Sequence, residues 1–336
     1  MTVPAAATRF FFISVSSLFV AGCGSYADFT LPPLPQAEPT RLTFTMERQP
    51  VLSHASAPGA WDSVDALNPS VVMRSGVYYN FYSGFDGRAW HTGLAMSSDG
   101  EHWTKKGRVI SPTAGTWEGG YIAANGSALY EGGEFLYWYQ AGEKETPRIA
   151  FARSADGIRW SKEPKPVLDF GPSGSWDERG LGDPYVLKIA DWFYLYYVGL
   201  NRARQQHIGL ARSRNGVRWE KLRGSPVVEL PVPGSGAMDE NGDGEPAVWQ
   251  ASGLYWMLFT GRDANEHRSL GLASSRDGVF WRRLDTYRGA APWNAAVLCD
   301  PTVLRVKGLT RVWFGGGDVA SPDENLHGQI GMGTLQ

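Results

Sequence analysis

The sequence predicts an all-β fold, a five-bladed β-propeller with four-stranded blades, and three observations carry that expectation. A short turn signature recurs at nearly constant spacing. An aromatic strand, and a strand that opens on a polar residue, recur in phase with it. The composition supplies what strands and tight turns need. Of 336 residues 41 are Gly, about 12 % against a usual share of about 7 %, and 14 Trp, 14 Tyr and 15 Phe accompany them.

The turn signature is a Ser, an Asp or Asn followed by Gly, and a Trp three positions later. It runs Ser97-Ser98-Asp99-Gly100 to Trp103, Ser154-Ala155-Asp156-Gly157 to Trp160, Ser213-Arg214-Asn215-Gly216 to Trp219, and Ser275-Arg276-Asp277-Gly278 to Trp281. The Trp residues are 57, 59 and 62 positions apart. Asp-Gly and Asn-Gly supply the positive φ of hairpin turns. The signature resembles the Asp-box of sialidases, but there one residue separates Asp from Gly, so the motif reads as a turn with a packing Trp. Upstream lie five aromatic strands, at Tyr78 to Gly84, Phe135 to Gly142, Phe193 to Gly199, Tyr255 to Gly261 and Val312 to Gly317. Before each is a polar strand start: Asn68, Asn125, Asp183, Glu245 and Asp300. Earlier still a polar residue follows a large apolar one, as Trp61-Asp62, Trp117-Glu118, Trp176-Asp177, Met238-Asp239 and Trp293-Asn294. Apolar residues nowhere recur at helical spacing, which excludes a helical solenoid.

These units place blades at about 60–112, 113–170, 171–232, 233–289 and 290–336 within a propeller domain of residues 42–336. The fifth unit lacks an outermost strand, and residues 42–52 are expected to supply it and close the ring. Residues 1–22 read as an export signal, with Arg9 before an apolar run from Phe10 to Ala21 that is too short to span a bilayer. Val20-Ala21-Gly22-Cys23 resembles the bacterial lipobox, which implies cleavage before Cys23 and lipid on that residue. Gly24, not Asp, follows it, so a Gram-negative cell would hold the protein at its outer membrane. Residues 23–41, with Leu31-Pro32-Pro33-Leu34-Pro35, read as an extended tether. With Cys23 lipidated, Cys299 has no partner, so neither a disulfide nor a Cys-based metal site is expected. A net charge of −2 offers no basic stripe for nucleic acid. No cofactor is expected, and the chain reads as a monomer.

Strand direction alternates within a blade, so the five strand starts ring one mouth of the channel and the Asp-Gly turns lie on the other face. Carboxylates crowded at such a mouth suit glycoside hydrolysis, because one must protonate a leaving oxygen while another attacks carbon or activates water. In these repeats, in Asp183-Pro184 and in Glu245, the chain resembles the five-bladed propeller glycosidases of families 43, 62, 32 and 68 and the mannoside phosphorylases of family 130. The resemblance implies that Asp183 stabilises the transition state or tunes the acid, and that Glu245 is the general acid. The first-blade Asp of families 32 and 43 is here Asn68, and an amide cannot be base or nucleophile. Asp300, Asp62 or Asp65 would then take that part, or the protein binds carbohydrate without cleaving it. Expected substrate-binding residues are Asn68, Asn125, His91, Arg262, Trp90, Asp177 and Glu118. Trp138 and Tyr121 are further candidates for sugar stacking, although each alone reads more readily as core. Arg179, Arg202, Arg204, Arg262 and Arg268 leave a phosphorylase open, since guanidinium groups grip phosphate. His91, His207, His267 and His327 occupy equivalent loops on different blades and read as substrate contacts or surface residues.

Overall fold

The computed structural model describes residues 25–36 and 40–336; the segment read as an export signal and Cys23 lie outside them. Among the described residues no α-helix occurs, and the only helical element is a 3-10 turn at Pro292–Asn294. The third blade shows the plan. Its strands are Gly180–Ile189 innermost, Trp192–Leu200, Gln206–Ser213 and Glu220–Leu222, each antiparallel to its predecessor. The second and fourth blades repeat it from Ile122–Glu131 and Gly242–Ala251 outward. In the first blade the inner strand breaks into Asp65–Leu67 and Val71–Arg74. The fifth runs from Val297–Val306 through Leu309–Gly317 to Gln329–Leu335. Its outer partner is Phe44–Met46, antiparallel with Phe44 opposite Leu335. The five inner strands touch in sequence, and the fifth touches the first, so the ring is closed.

Each aromatic strand is buried on both faces between neighbouring blades, which is why it reads as a continuous apolar run. Leu136, Trp138 and Phe151 of the second blade pack on Phe193, Leu195 and Tyr197 of the third. Trp138, a candidate sugar platform that read more readily as core, is fully buried there and is core. The Asp-Gly turns are structural. In the first, the Gly100 N–H donates to Ser97 Oγ (2.8 Å), and Asp99 Oδ1 accepts the N–H groups of Glu101 (2.8 Å) and His102 (2.9 Å). Gly100 holds φ +81° there, a conformation that side chains penalise. Its carbonyl accepts Trp313 Nε1 (2.8 Å), and that of Gly216 accepts Trp138 Nε1 (2.7 Å), so the turns rivet adjacent blades.

Three expected site residues prove to be internal clamps. Asp62 accepts Tyr82 Oη (2.9 Å) and Lys105 Nζ (2.6 Å). Glu118 accepts Tyr139 Oη (2.8 Å) and Lys162 Nζ (2.6 Å). Asp177 accepts Tyr197 Oη (3.2 Å) and Lys221 Nζ (2.5 Å). Each carboxylate thus ties its blade's second strand to its fourth. In the fourth blade Asp239 pairs with Arg283, and Phe259 replaces the Tyr. The fifth blade, whose outer strand comes from the other end of the propeller domain, has neutral Asn294 and Phe314. The polar position recurs because burying the ion pair requires both partners, and that periodic signal imitated a site.

The segment read as a tether is docked. Ser25–Ala27 pairs in parallel with Glu220–Leu222. Leu31 is buried against the fourth blade's turn, its N–H bonded to the Asp277 carbonyl (2.8 Å), and Tyr255 Oη donates to the Pro32 carbonyl (2.6 Å). Beyond that strand its prolines keep it out of the blades' ladders, but Leu31 still finds a groove.

Candidate active site

All five strand-start residues have positive φ: Asn68 46°, Asn125 50°, Asp183 44°, Glu245 50° and Asp300 52°. Non-glycine residues seldom adopt this conformation, and five in register hold strain against the surrounding ladders. In blades two to five the inner ladder slips at these residues, and in the first it breaks. The slip frees each side chain from strand alternation and delivers it to the channel. There Asn68, Asn125, Asp183, Glu245 and Asp300 line a cavity of about 310 Å³ at the mouth. Below it Pro69, Gly126, Pro184, Pro246 and Pro301 constrict the channel.

The carboxylates are wired together. Glu245 Oε2 accepts the Asp300 N–H (3.2 Å), and Glu245 Oε1 lies 3.9 Å from Arg268 Nη1. Asp183 Oδ1 accepts Asn125 Nδ2 (3.1 Å), and Asn125 is held in turn by Ser83 Oγ (2.9 Å). Asp300 Oδ2 accepts the N–H of Asn68 (3.2 Å) and the Cys299 thiol (3.1 Å). Burial, then the negative charge of Glu245, pushes Asp183 up to about 8. The same two causes raise Asp300 well above the usual carboxylate range. This is the environment that keeps a carboxylic acid protonated near neutral pH. Arg268 opposes both shifts and is itself 7 % exposed.

Because Asp183 holds its proton when folded but would ionise near 3.8 when unfolded, its contribution to stability is complete below pH about 4 and is lost as pH rises toward 8. Asp183→Asn removes that loss. Urea midpoints of variant and wild type are expected to coincide near pH 4 and to separate in favour of the variant by pH 8. A constant difference across this range would contradict the environment described for Asp183.

The other expected residues divide. Trp90 and Arg262 line the funnel, Trp90 stacked on Phe85 (4.9 Å between centroids) and Arg262 paired with Glu266 (Nε–Oε2 3.1 Å). Tyr121 lines it too. His91 does not: it is buried beside Ser111 Oγ (3.1 Å) and Asp86 (3.4 Å). Asp62, Glu118 and Asp177 are away in their clamps. Asp65 is fully buried and accepts the N–H groups of Asn325 (2.8 Å), Leu326 (3.0 Å) and Gly328 (2.8 Å), so it anchors a loop and cannot be the base. Of the arginines, Arg204, Arg262 and Arg268 line the wall, while Arg202 pairs with Glu178 (3.1 Å). His207, His267 and His327 bond within their own loops, to Asn201, Asp263 and Asp318. Sequence reasoning did not single out Lys144, Gln140 and Gln206, which also line the funnel. Gln140 carried a signal, standing where the other aromatic strands have Ser83, Val198, Thr260 and Gly315.

Donor atoms of Glu245, Cys299 and Asp300 lie within 4.8 Å of one another. The residues suit a divalent ion poorly. Burial pushes the Cys299 thiol well up, whereas ligation needs the thiolate, and the Arg268 guanidinium faces Glu245. Hydrogen bonding among themselves already occupies these groups.

Residues 68–229 match the model of the "Glycosyl hydrolases family 32 N-terminal domain". An uncharacterized protein of Mycobacterium tuberculosis (strain ATCC 25618 / H37Rv) is 26 % identical over 226 residues, covering 63 % of this chain and 75 % of that protein. A 1,2-beta-oligomannan phosphorylase of Thermoanaerobacter sp. (strain X514) is 32 % identical over 124 residues, 34 % of this chain and 41 % of that one. Among solved structures, a family 117 glycoside hydrolase of Zobellia galactanivorans superposes with TM-score 0.66 at 17 % identity, covering 88 % of this chain and 90 % of that one. A structure from the GH130 mannoside phosphorylase family, described as containing hydrolases of beta-1,2 mannosidic linkages in Candida mannan, gives 0.65 at 18 %, covering 92 % and 96 %. The chain therefore has the propeller fold of the glycoside hydrolases, and its first three blades carry the sequence pattern of the family 32 N-terminal domain.

Proposed function

We propose that the protein is a glycoside hydrolase acting on an oligosaccharide or polysaccharide at the funnel. One observation carries the reading: Asp183 and Glu245 open adjacent inner strands, and burial with the Glu245 charge keeps a proton on Asp183 up to about pH 8. A protonated carboxyl beside an ionised one is the minimum that glycoside cleavage requires. The environment supports exchanging the roles that the family resemblance implied. Asp183 donates the proton to the leaving oxygen. Glu245, facing Arg268, is the carboxylate that attacks carbon or activates water. Asp300 is then a positioning residue. It lies beside Glu245, to which its backbone N–H donates (3.2 Å), and so orients that carboxylate. Asn68 bonds through its backbone to Asp300, so the departure at that position leaves the acidic set connected.

Release of reducing sugar from β-1,2-mannan, fructan, arabinan and xylan tests the reading. A phosphorylase is the second reading, supported by the Thermoanaerobacter relative and by Arg204, Arg262, Arg268 and Lys144 on the wall. Turnover that requires added inorganic phosphate would establish it in place of hydrolysis. Saturable binding with no cleavage under either condition would make the protein a carbohydrate-binding propeller.

The export signal and lipobox support an extracytoplasmic, lipid-anchored location. Cys23→Ser is expected to release the protein from the membrane fraction or leave it unprocessed. A Cys23→Ser protein cleaved normally and still membrane-bound would overturn the anchor.

A further inference from the structure

The loop of residues 318–328, between the second and third strands of the fifth blade, does not stay above its own blade. Asp65 of the first blade holds three of its N–H groups, and Leu326 is fully buried among Leu67, Phe85 and Trp90. The loop then reaches the second blade, where Glu324 accepts Tyr121 Oη (2.9 Å) and Lys144 Nζ (2.7 Å). On the funnel side Arg268 donates to the carbonyls of Ser321 and Pro322, and Pro322 and Asp323 form part of the wall. The span therefore runs from blade five, over blade one, to blade two.

This placement decides the shape of the site. An open groove across a propeller mouth would let a polymer pass through in both directions. Here the sector above the first blade is filled, the channel below narrows past Pro69, Gly126, Pro184, Pro246 and Pro301, and the cavity of about 310 Å³ is at the small end of ligand pockets, roughly 300–1,000 Å³. We propose that the 318–328 loop, latched by Glu324 to Tyr121 and Lys144, makes the funnel a dead-ended pocket that accepts only the terminal residue of a sugar chain. The protein would thus act on chain ends and leave internal linkages intact. Glu324 is a specificity-determining residue on this account, since its carboxylate joins the loop to the second blade. The inference rests on the carbohydrate reading of the funnel and adds the topology of the substrate.

The test uses fluorophore-tagged tetrasaccharides of β-1,2-mannan, fructan, arabinan and xylan, each with the non-reducing end either free or chemically blocked. Binding is measured to Glu245→Gln protein, and cleavage products to the wild type. Free-ended chains are expected to bind at least about tenfold tighter than blocked ones, and wild-type products to be single terminal residues. Glu324→Ala, and separately the milder Tyr121→Phe, should erode that discrimination, with blocked chains gaining affinity. Thermal unfolding confirms that both variants are folded. Equal binding of free and blocked chains by the latched protein, internal cleavage by the wild type, or binding of neither form overturns the inference. End-selective binding without cleavage would sustain it while defeating the hydrolase reading.

Discussion

Replacing Asp183 by Asn or Glu245 by Gln is expected to lower turnover by about 10²–10⁴-fold, the usual cost of removing a general acid or base. Fold and thermal stability should be retained, because both changes keep the side chain's shape in a strained position that the ladders on either side determine. The two variants should differ by leaving group. An acid is needed only when the leaving oxygen is basic. Asp183→Asn should therefore recover most of its rate on aryl glycosides with nitrated phenols, whereas Glu245→Gln should not. Wild-type kcat/KM should decline as pH rises through about 8, where Asp183 loses its proton, and this limb should vanish in Asp183→Asn. Recovery on activated substrates by Glu245→Gln instead would return the acid role to Glu245. Full activity in either variant would remove the funnel from the chemistry.

Asp177→Ala is expected to destabilise the protein by about 3–5 kcal/mol, the range for breaking a buried ion pair. The Lys221 ammonium is buried, and burial already lowers its pKa against the pull of Asp177. Without the carboxylate it retains the Asp169 carbonyl (2.7 Å) and the charge of Asp169, which is not within ion-pair distance. Lys221→Met in the same chain should restore much of the loss, since an apolar replacement of both partners abolishes the stranded charge. Glu131→Ala makes the comparison: its pair with Lys188 is just as short (2.6 Å) but half open to water, and should cost under about 1 kcal/mol. Chemical denaturation of the three variants measures this directly. Sugar binding by folded Asp177→Ala should match wild type, because Asp177 is not part of the funnel wall. A large loss of binding with little loss of stability would restore Asp177 as a site residue.

How much of this was legible depended on whether a signal was periodic. The Asp-Gly turns, aromatic strands and polar strand starts repeat because every blade solves the same local problem, so the propeller and its ring-closing strand were readable from pattern alone. The acidic position of Asp62, Glu118 and Asp177 was equally periodic, and misled for that reason: a residue that every blade needs serves the blade. Trp138, a possible platform that read more readily as core, is core, since aromatic side chains serve cores and sugar faces alike. The docking of Leu31 had no periodic signal, because it depends on a groove that two blades form together.

By itself, then, the sequence determined the blade, the number of repeats, the face that collects polar residues and the five positions that open on the channel. These follow from interactions within one repeat, between residues fewer than about sixty positions apart. Tertiary structure alone decided which carboxylates share an environment, that Arg268 faces Glu245, that burial and the Glu245 charge raise Asp183, that Asp62 is locked to Tyr82 and Lys105, and that a fifth-blade loop latches onto the second blade. Those relations join residues such as Asn68 and Asp300, 232 positions apart, whose distance and desolvation exist only once the ring has closed.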